Sequence, residues 1–293
     1  MKILLAMDTS SASQAALEEI TERPWPAGSS FEVVGVVEPS HLWTTSEIAQ
    51  EAARRAKEVV QRAVERLHSA NQAATGAALS GNPKTVILDW ARSSSTDFVI
   101  VGSHGVSALT RFLLGNVATS VLRYAPCSVE VVRARSRKGA DKMKVLLATD
   151  GSKYSERAAR SIAERPWPSG TEIRVLSAVE LILPATRALL EPPFVDSPFV
   201  ESARAEAMKR SQDAIAGATE ILSATRLNVS ESISVLLDTP KVIILDEAAR
   251  WGADLIVSGS HGRHGVDRFL LGSVSEAVAM HAECSVEVIR RAA

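Results

Sequence analysis

Cysteine is nearly absent: Cys127 and Cys284 are the only two in 293 residues. Two thiols supply neither a disulfide framework nor a thiolate zinc site, and the count fits a reducing, cytoplasmic setting. Long apolar runs are missing as well. The uninterrupted ones are strand-sized, far short of a bilayer span. The first of them, residues 3–7, ends at Asp8 and is too short for a signal-peptide core, so it reads as a buried first strand. Net charge is close to zero: 33 basic and 34 acidic residues leave −1, so no global positive field points to nucleic acid. Neither the Walker A pattern GxxxxGK[ST] nor the GxSxG nucleophile elbow occurs, which removes two common nucleotide and hydrolase signatures. What remains is a normal globular mixture, 46% hydrophobic and 23% charged, in a chain long enough for two cores.

Those two cores are written as a repeat. KILLAMDTS (2–10) returns as KVLLATDGS (144–152), and ERPWPAG (22–28) as ERPWPSG (164–170), both at an offset of 142. Further on, PKTVILDWA (83–91) returns as PKVIILDEA (240–248), and PCSVEVVR (126–133) as ECSVEVIR (283–290), at an offset of 157. The longer offset places an insertion in or near residues 181–202, a proline-bearing stretch that reads as a loop, either a lid or a partner-binding segment. Residues 133–143 are polar and basic, and they read as a solvated connection. The expected division is residues 1–134, a linker at 135–143, and residues 144–293.

Within each repeat, apolar strand-like runs alternate with amphipathic helical stretches, including long ones at 46–71 and 200–224. Such alternation implies an α/β fold, each repeat a parallel sheet with helices on both faces. Ligands in such sheets sit beyond the carboxyl ends of the strands at a switch point, the edge where Asp8, Asp150 and two glycine turns belong. Those turns are the most informative feature of the chain. GSHG-x9-GN runs from Gly102 to Asn116, and GSHG-x9-GS from Gly259 to Ser273, 157 residues later. Each follows a β-type run and ends where a helix begins, so bare backbone N–H groups and a positive dipole end face any anion. Two nucleotide or phosphate sites are expected.

These residues resemble the universal stress protein family. The carriers are Asp8-Thr9-Ser10 and Asp150-Gly151-Ser152 after the first strand of each repeat, with the G-x2-G-x9-G-[S/T] spacing, and the likeness covers essentially both repeats. It implies two five-stranded parallel sheets of the Rossmann-like, adenine nucleotide alpha hydrolase-like type, paired through their last strands into an internal pseudo-dimer. It implies ATP, with Mg2+, in one or two sites. Carried over residue by residue, Asp8 and Asp150 match the acid beside base and ribose, while Ala6, Ala148, Val36 and Ala178 match the adenine region. Gly102, Gly105, Gly115, Gly259, Gly262 and Gly272 match the phosphate-facing glycines, followed by Asn116, Val117, Ser273 and Val274 at the helix starts. Two departures stand out. Asn116 replaces the usual Ser or Thr, and Asp238-Thr239-Pro240 replaces the Gly-x-Pro kept at Gly81-Asn82-Pro83, so the second repeat has the complete phosphate loop but a carboxylate nearby.

The resemblance therefore implies an ATP-binding stress-response regulator in the cytoplasm, with at most slow hydrolysis. A slow adenine-nucleotide hydrolase or nucleotidyl-transfer enzyme is the first alternative, and a nucleotide-free dimeric interaction protein the second. Assembly of two chains into a homodimer, and a protein partner, stay open; no membrane and no nucleic-acid partner is expected. Other side chains receive structural readings. His104 and His261 are loop hydrogen-bonders rather than zinc ligands, although His261-x-x-His264 has metal-like spacing. Arg111 and Arg268 face either phosphate or solvent. Cys127 and Cys284 are small core residues, Trp25 and Trp167 packing anchors at the domain edge, and Ser10 and Ser152 parts of a helix start that the adjacent aspartates also serve. The final strands alternate Val129 and Val131 with Ser128 and Glu130, the pattern of half-buried edges that join the two repeats.

Overall fold

The computed structural model describes residues 1–38, 46–105, 114–134, 142–180, 198–236, 239–262 and 271–290. The first half runs β1 (Lys2–Met7), α1 (Ser11–Glu22), β2 (Ser30–Val37), α2 (Ser46–Ser69), β3 (Ala73–Ser80), α3 (Pro83–Ser93), β4 (Phe98–Gly102), α4 (Asn116–Tyr124), β5 (Ser128–Val132). The second half repeats it: β6 (Lys144–Ala148), α5 (Lys153–Ala163), β7 (Glu172–Glu180), α6 (Pro198–Ser223), β8 (Asn228–Leu236), α7 (Pro240–Trp251), β9 (Leu255–Gly259), α8 (Ser273–His281), β10 (Ser285–Ile289). The fold is α/β, as expected from the alternation.

Local chemistry sets the boundaries. Ser10 caps α1 by accepting from the Ser13 N–H, and Ser152 caps α5 by accepting from Ser155. The helix-starting prolines Pro83 and Pro240 occupy the first turns of α3 and α7, where no N–H is needed. Asn82 accepts from Lys84 and Thr85 at the start of α3, and Gly252 closes α7 in the left-handed conformation at φ 73°. Part of the segment expected to be an inserted loop is helical: α6 begins at Pro198, while 181–197 lie outside the described residues.

All ten strands form one sheet in the order β3-β2-β1-β4-β5-β10-β9-β6-β7-β8. Pairing is parallel within each half and antiparallel at the single junction, where Val129, Glu130 and Val131 face Val288, Glu287 and Val286. The halves therefore run in opposite directions, and the carboxyl ends of their strands lie on opposite edges of the sheet. Each face is covered by one apolar cluster spanning both halves. One joins Leu4, Val99 and Val121 to Ile256 and Val278, the other Phe31 and Ile100 to Ile162 and Val257.

The junction overturns one expectation. Glu130 and Ser128 are not on a solvated face, because β5 and β10 are central strands; Glu130 and Glu287 are both 0% exposed. They oppose each other in register, an arrangement that is unfavourable for like charges. The arginines of the two ERPWP segments offset it. Arg23 donates to both oxygens of Glu130, at 3.2 and 2.5 Å, and Arg165 donates to Glu287 at 2.5 Å. Burial pushes the Glu287 carboxyl up, against the pull of Arg165, and its Oε2 has no hydrogen-bond partner. Trp25 and Trp167 close the motif: each indole donates to a carbonyl near the end of its helix, Ile20 or Ile162, and each lies beneath a guanidinium, at 4.6 Å from Arg23 and 5.1 Å from Arg165.

The segment read as a solvated connection is also anchored at both described ends, since Arg133 and Met143 are buried. Arg133 crosses to the other half and donates to the carbonyls of Ala279 and Met280, at the end of α8. Arg290 reciprocates on Leu122, Arg123 and Ala125, at the end of α4. Each half thus supplies the cation that satisfies the last carbonyls of the other's final helix.

Removing one member of a buried ion pair should cost far more than replacing both. Arg165→Met is expected to destabilise the protein by about 3–5 kcal/mol, and Arg165→Met with Glu287→Leu by clearly less. Urea unfolding midpoints check this; equal losses would show that packing, not the stranded carboxylate, sets the cost.

Candidate functional site

Residues far apart in the chain meet because β1 pairs with β4, and β6 with β9. Ala6 lies opposite Val101, and Ala148 opposite Ser258. The chain leaves these neighbouring strands toward opposite faces, so a crevice opens where they end. Asp8 and Asp150 lie just past one strand of each pair, and the glycine turns just past the other.

The carboxylates are held before any ligand arrives. Asp8 Oδ1 accepts from the Ser10 N–H at 2.9 Å, from Ser10 Oγ at 2.5 Å and from Ser13 Oγ at 2.6 Å. Asp150 Oδ1 accepts from the Ser152 N–H at 3.0 Å. The serines, not the aspartates, cap the helices; the aspartates orient the serines. In both halves Oδ2 is turned to the second glycine of the turn, where a Cβ on Gly105 or Gly262 would sit 2.9 Å from it.

The glycines have distinct reasons to lack side chains. A Cβ on Gly102 would lie 2.6 Å from the Ala12 carbonyl carbon, and one on Gly259 2.6 Å from that of Tyr154. Strand and helix start touch backbone to backbone there, so the first glycine is demanded by packing. The third, Gly115 or Gly272, donates to the Ser103 or Ser260 carbonyl at 2.7 or 2.8 Å, folding the turn back on itself. It is also the N-cap of the next helix and, having no side chain, makes no side-chain cap bond to α4 or α8. Among the described residues, the opening N–H groups of α8 therefore meet no capping side chain at the cleft.

In the second half these parts surround one cleft of about 800 Å³, inside the range of small-molecule sites. Every residue singled out there lines it: Ala148, Asp150, Ala178, Gly259, Gly262, Gly272, Ser273 and Val274. In the first half, Asp8 and Gly105 repeat the contact, Gly115 and Asn116 the helix start, and Val36 and Val117 pack on the same apolar cluster as Ala178 and Val274. Ala6, next to last in β1, pairs with Val101 as Ala148, at the end of β6, pairs with Ser258.

Six polar lining residues were not singled out from the sequence: Thr149, Ser155, Ser177, Arg210, Ser258 and Ser275. Aligning the repeats and asking where one is polar and the other apolar finds three of them, since Met7, Val101 and Ala118 stand where Thr149, Ser258 and Ser275 do. Arg210, on α6 and paired with Glu206, carries no such signal. His104 and His261 each place Nδ1 near a serine hydroxyl, at 2.9 and 3.1 Å. Arg111, Arg268, His264 and Asp238 lie outside the described residues. Cys127 is buried in the core, and burial pushes its thiol up to about 12, away from nucleophilic chemistry. Among the described residues, no cluster of three His, Cys, Asp or Glu is placed to hold a metal, and no helix is long and apolar enough to cross a membrane.

Comparison with known proteins gives concordant results. The sequence model of the Universal stress protein family matches residues 1–133 and 143–290. A universal stress protein of Mycobacterium tuberculosis is 33% identical over 201 residues, 68% of this chain and 63% of its own length. One from Mycolicibacterium smegmatis is 34% identical over 202 residues, with the same coverage. The chain thus spans less than two thirds of these curated relatives. Among solved structures, a universal stress protein from Archaeoglobus fulgidus superposes with a TM-score of 0.67 at 22% identity, over 99% of this chain and 98% of that one. A putative universal stress protein from Pseudomonas aeruginosa gives 0.61 at 16%, over 98% and 92%. At such identities the structural likeness concerns the fold.

The glycines predict separable phenotypes. Gly259→Ala forces backbone against backbone and should cost about 1–3 kcal/mol. Gly262→Ala meets only a carboxylate end that can turn, and should stay within about 1 kcal/mol of the parent. Thermal unfolding of the two variants decides; equal losses would contradict the packing assigned to Gly259.

Proposed function

The chain belongs to the universal stress protein family, and on that footing we propose that it binds an adenine nucleotide, ATP with Mg2+, as a nucleotide-dependent regulatory module of a stress response. The observation that carries this reading is the convergence, in one cleft, of the Asp150 carboxylate, the glycine turn and the uncapped start of α8. Backbone N–H groups at Ser273 and Val274 offer donors to phosphate oxygens, reinforced by the helix dipole. Asp150 Oδ2 offers an acceptor to a sugar hydroxyl, and the Ala148 and Ala178 region an apolar bed for the base.

The residues fit such a ligand. Two buried polar atoms of the cleft, Ser258 Oγ and His261 Nε2, have no hydrogen-bond partner among the described residues. Mg2+ enters on the phosphates, as is usual for an ion that keeps its waters and few protein carboxylates. The same machinery in the first half supports a second site at Asp8, Gly105 and Asn116. The second half is the stronger candidate because Ser273, unlike Asn116, completes the loop. We read the protein as cytoplasmic, from its two cysteines, both buried and neither in a disulfide, and residues 1–134 and 144–293 as its two domains.

Denaturing the purified protein and identifying released nucleotide by mass spectrometry tests the reading; adenine nucleotide, or saturable uptake of added ATP, is expected. ADP or AMP in place of ATP would favour slow hydrolysis. A protein that emerges empty and ignores ATP would refute nucleotide binding. Asp150→Ala should weaken ATP binding at the second cleft by roughly ten- to a hundredfold, the value of a hydrogen bond to a charged group. Calorimetric titration, with folding verified by circular dichroism, reads it.

A further inference from the structure

The two halves differ at several buried positions around the cleft, and at one of them the second half carries a hydroxyl that, among the described residues, no hydrogen bond matches. Strand β4 enters its turn as DFVIVG and β9 as DLIVSG, so Ser258 replaces Val101. Val101 is 3% exposed and belongs to the apolar cluster beneath α3 and α4. Ser258 is 6% exposed, and side-chain alternation puts it on the face of Ile256, the floor of the second cleft. Its hydroxyl has no hydrogen-bond partner among the described residues. Other hydroxyls of this cleft are engaged: Ser275 donates to the Gly259 carbonyl at 2.6 Å, and Thr149 donates to Ser155 Oγ at 3.1 Å. A buried hydroxyl left alone lowers stability relative to the valine of the sister repeat. A second orphan lies three residues on. His261 Nε2 is buried and unpartnered in the same cleft, its ring 5.0 Å from that of Tyr154.

Position says what such a hydroxyl meets. Ser258 sits opposite Ala148 in register, two residues before Asp150, and immediately before Gly259. It therefore lies between the acid assigned to the sugar and the turn assigned to the phosphates. We propose that Ser258 is a specificity-determining, ligand-contacting residue: its hydroxyl hydrogen-bonds the sugar–phosphate portion of a nucleoside phosphate, a contact that Val101 denies the first cleft. The inference rests on the nucleotide-binding reading above and deepens it. The two clefts are then unequal, with the second selecting a ligand that brings a polar group to the floor.

The test is ATP titration of Ser258→Val and Ser258→Thr by calorimetry, in an Asp8→Ala background so that the second cleft reports, with thermal unfolding in the absence of nucleotide. Ser258→Val is expected to raise Kd about five- to tenfold, the worth of one hydrogen bond, while leaving the unliganded melting temperature equal or higher. Ser258→Thr, which keeps the hydroxyl, should retain affinity within about threefold. A merely structural serine gives the opposite pattern, a lower melting temperature with unchanged Kd, and would overturn the proposal. If the Asp8→Ala parent itself binds no ATP, nucleotide binding at the second cleft fails and this inference with it. If the parent binds and Ser258→Val binds equally, only this inference fails.

Discussion

Two carboxylates, Glu130 and Glu287, face each other across the centre of a ten-stranded sheet, each fully buried. Left alone they would drive the strands apart. Held by Arg23 and Arg165 they hold β5 against β10, because a slip of one residue would turn both acids to the other face and strand both guanidiniums. Arg133 and Arg290 then bind each half to the helix end of the other. The junction is a charged seam inside a shared apolar core, and its stability depends on all four arginines staying in place.

The direction of that seam decides where chemistry can occur. Antiparallel pairing puts the carboxyl ends of the two strand sets on opposite edges of the sheet, so each cleft is built from its own half. Within a half, the β1–β4 or β6–β9 pairing brings acid and glycine turn together, and backbone contact at Gly102 or Gly259 fixes the turn against the following helix. The two halves thus share one frame while their cleft floors diverge. Val101 against Ser258, Met7 against Thr149 and Asn116 against Ser273 are differences of side chain at equivalent places, not of architecture. A duplicated scaffold with unequal linings is suited to hold one ligand well and to tune or lose the other.

Much of this was legible in the sequence, because it is local. Strand–helix alternation, capping serines, Pro83 and Pro240, and the glycine spacing all act within a few residues of themselves. What escaped depends on partners distant in the chain. Glu130 between valines is indistinguishable from an edge-strand glutamate until Arg23, 107 residues away, is known to face it. Arg133 reads as the start of a basic connection, since the carbonyls it satisfies belong to α8. Strand β3 is a largely exposed sheet edge whose Gly76 leaves room for Val60 and Val64 of α2, and so it lacks a strong strand signature at its start. Ser258 escaped because a serine in an apolar run looks neutral unless the sister repeat is laid beside it.

The central claim is that the second cleft takes nucleotide phosphates on the open start of α8. A crystal structure with a non-hydrolysable ATP analogue tests it directly. The account predicts phosphate oxygens within hydrogen-bonding distance of the Ser273 and Val274 backbone N–H groups, with a sugar hydroxyl on Asp150. An analogue bound elsewhere, or with its phosphates turned away from the glycine turn, would contradict it.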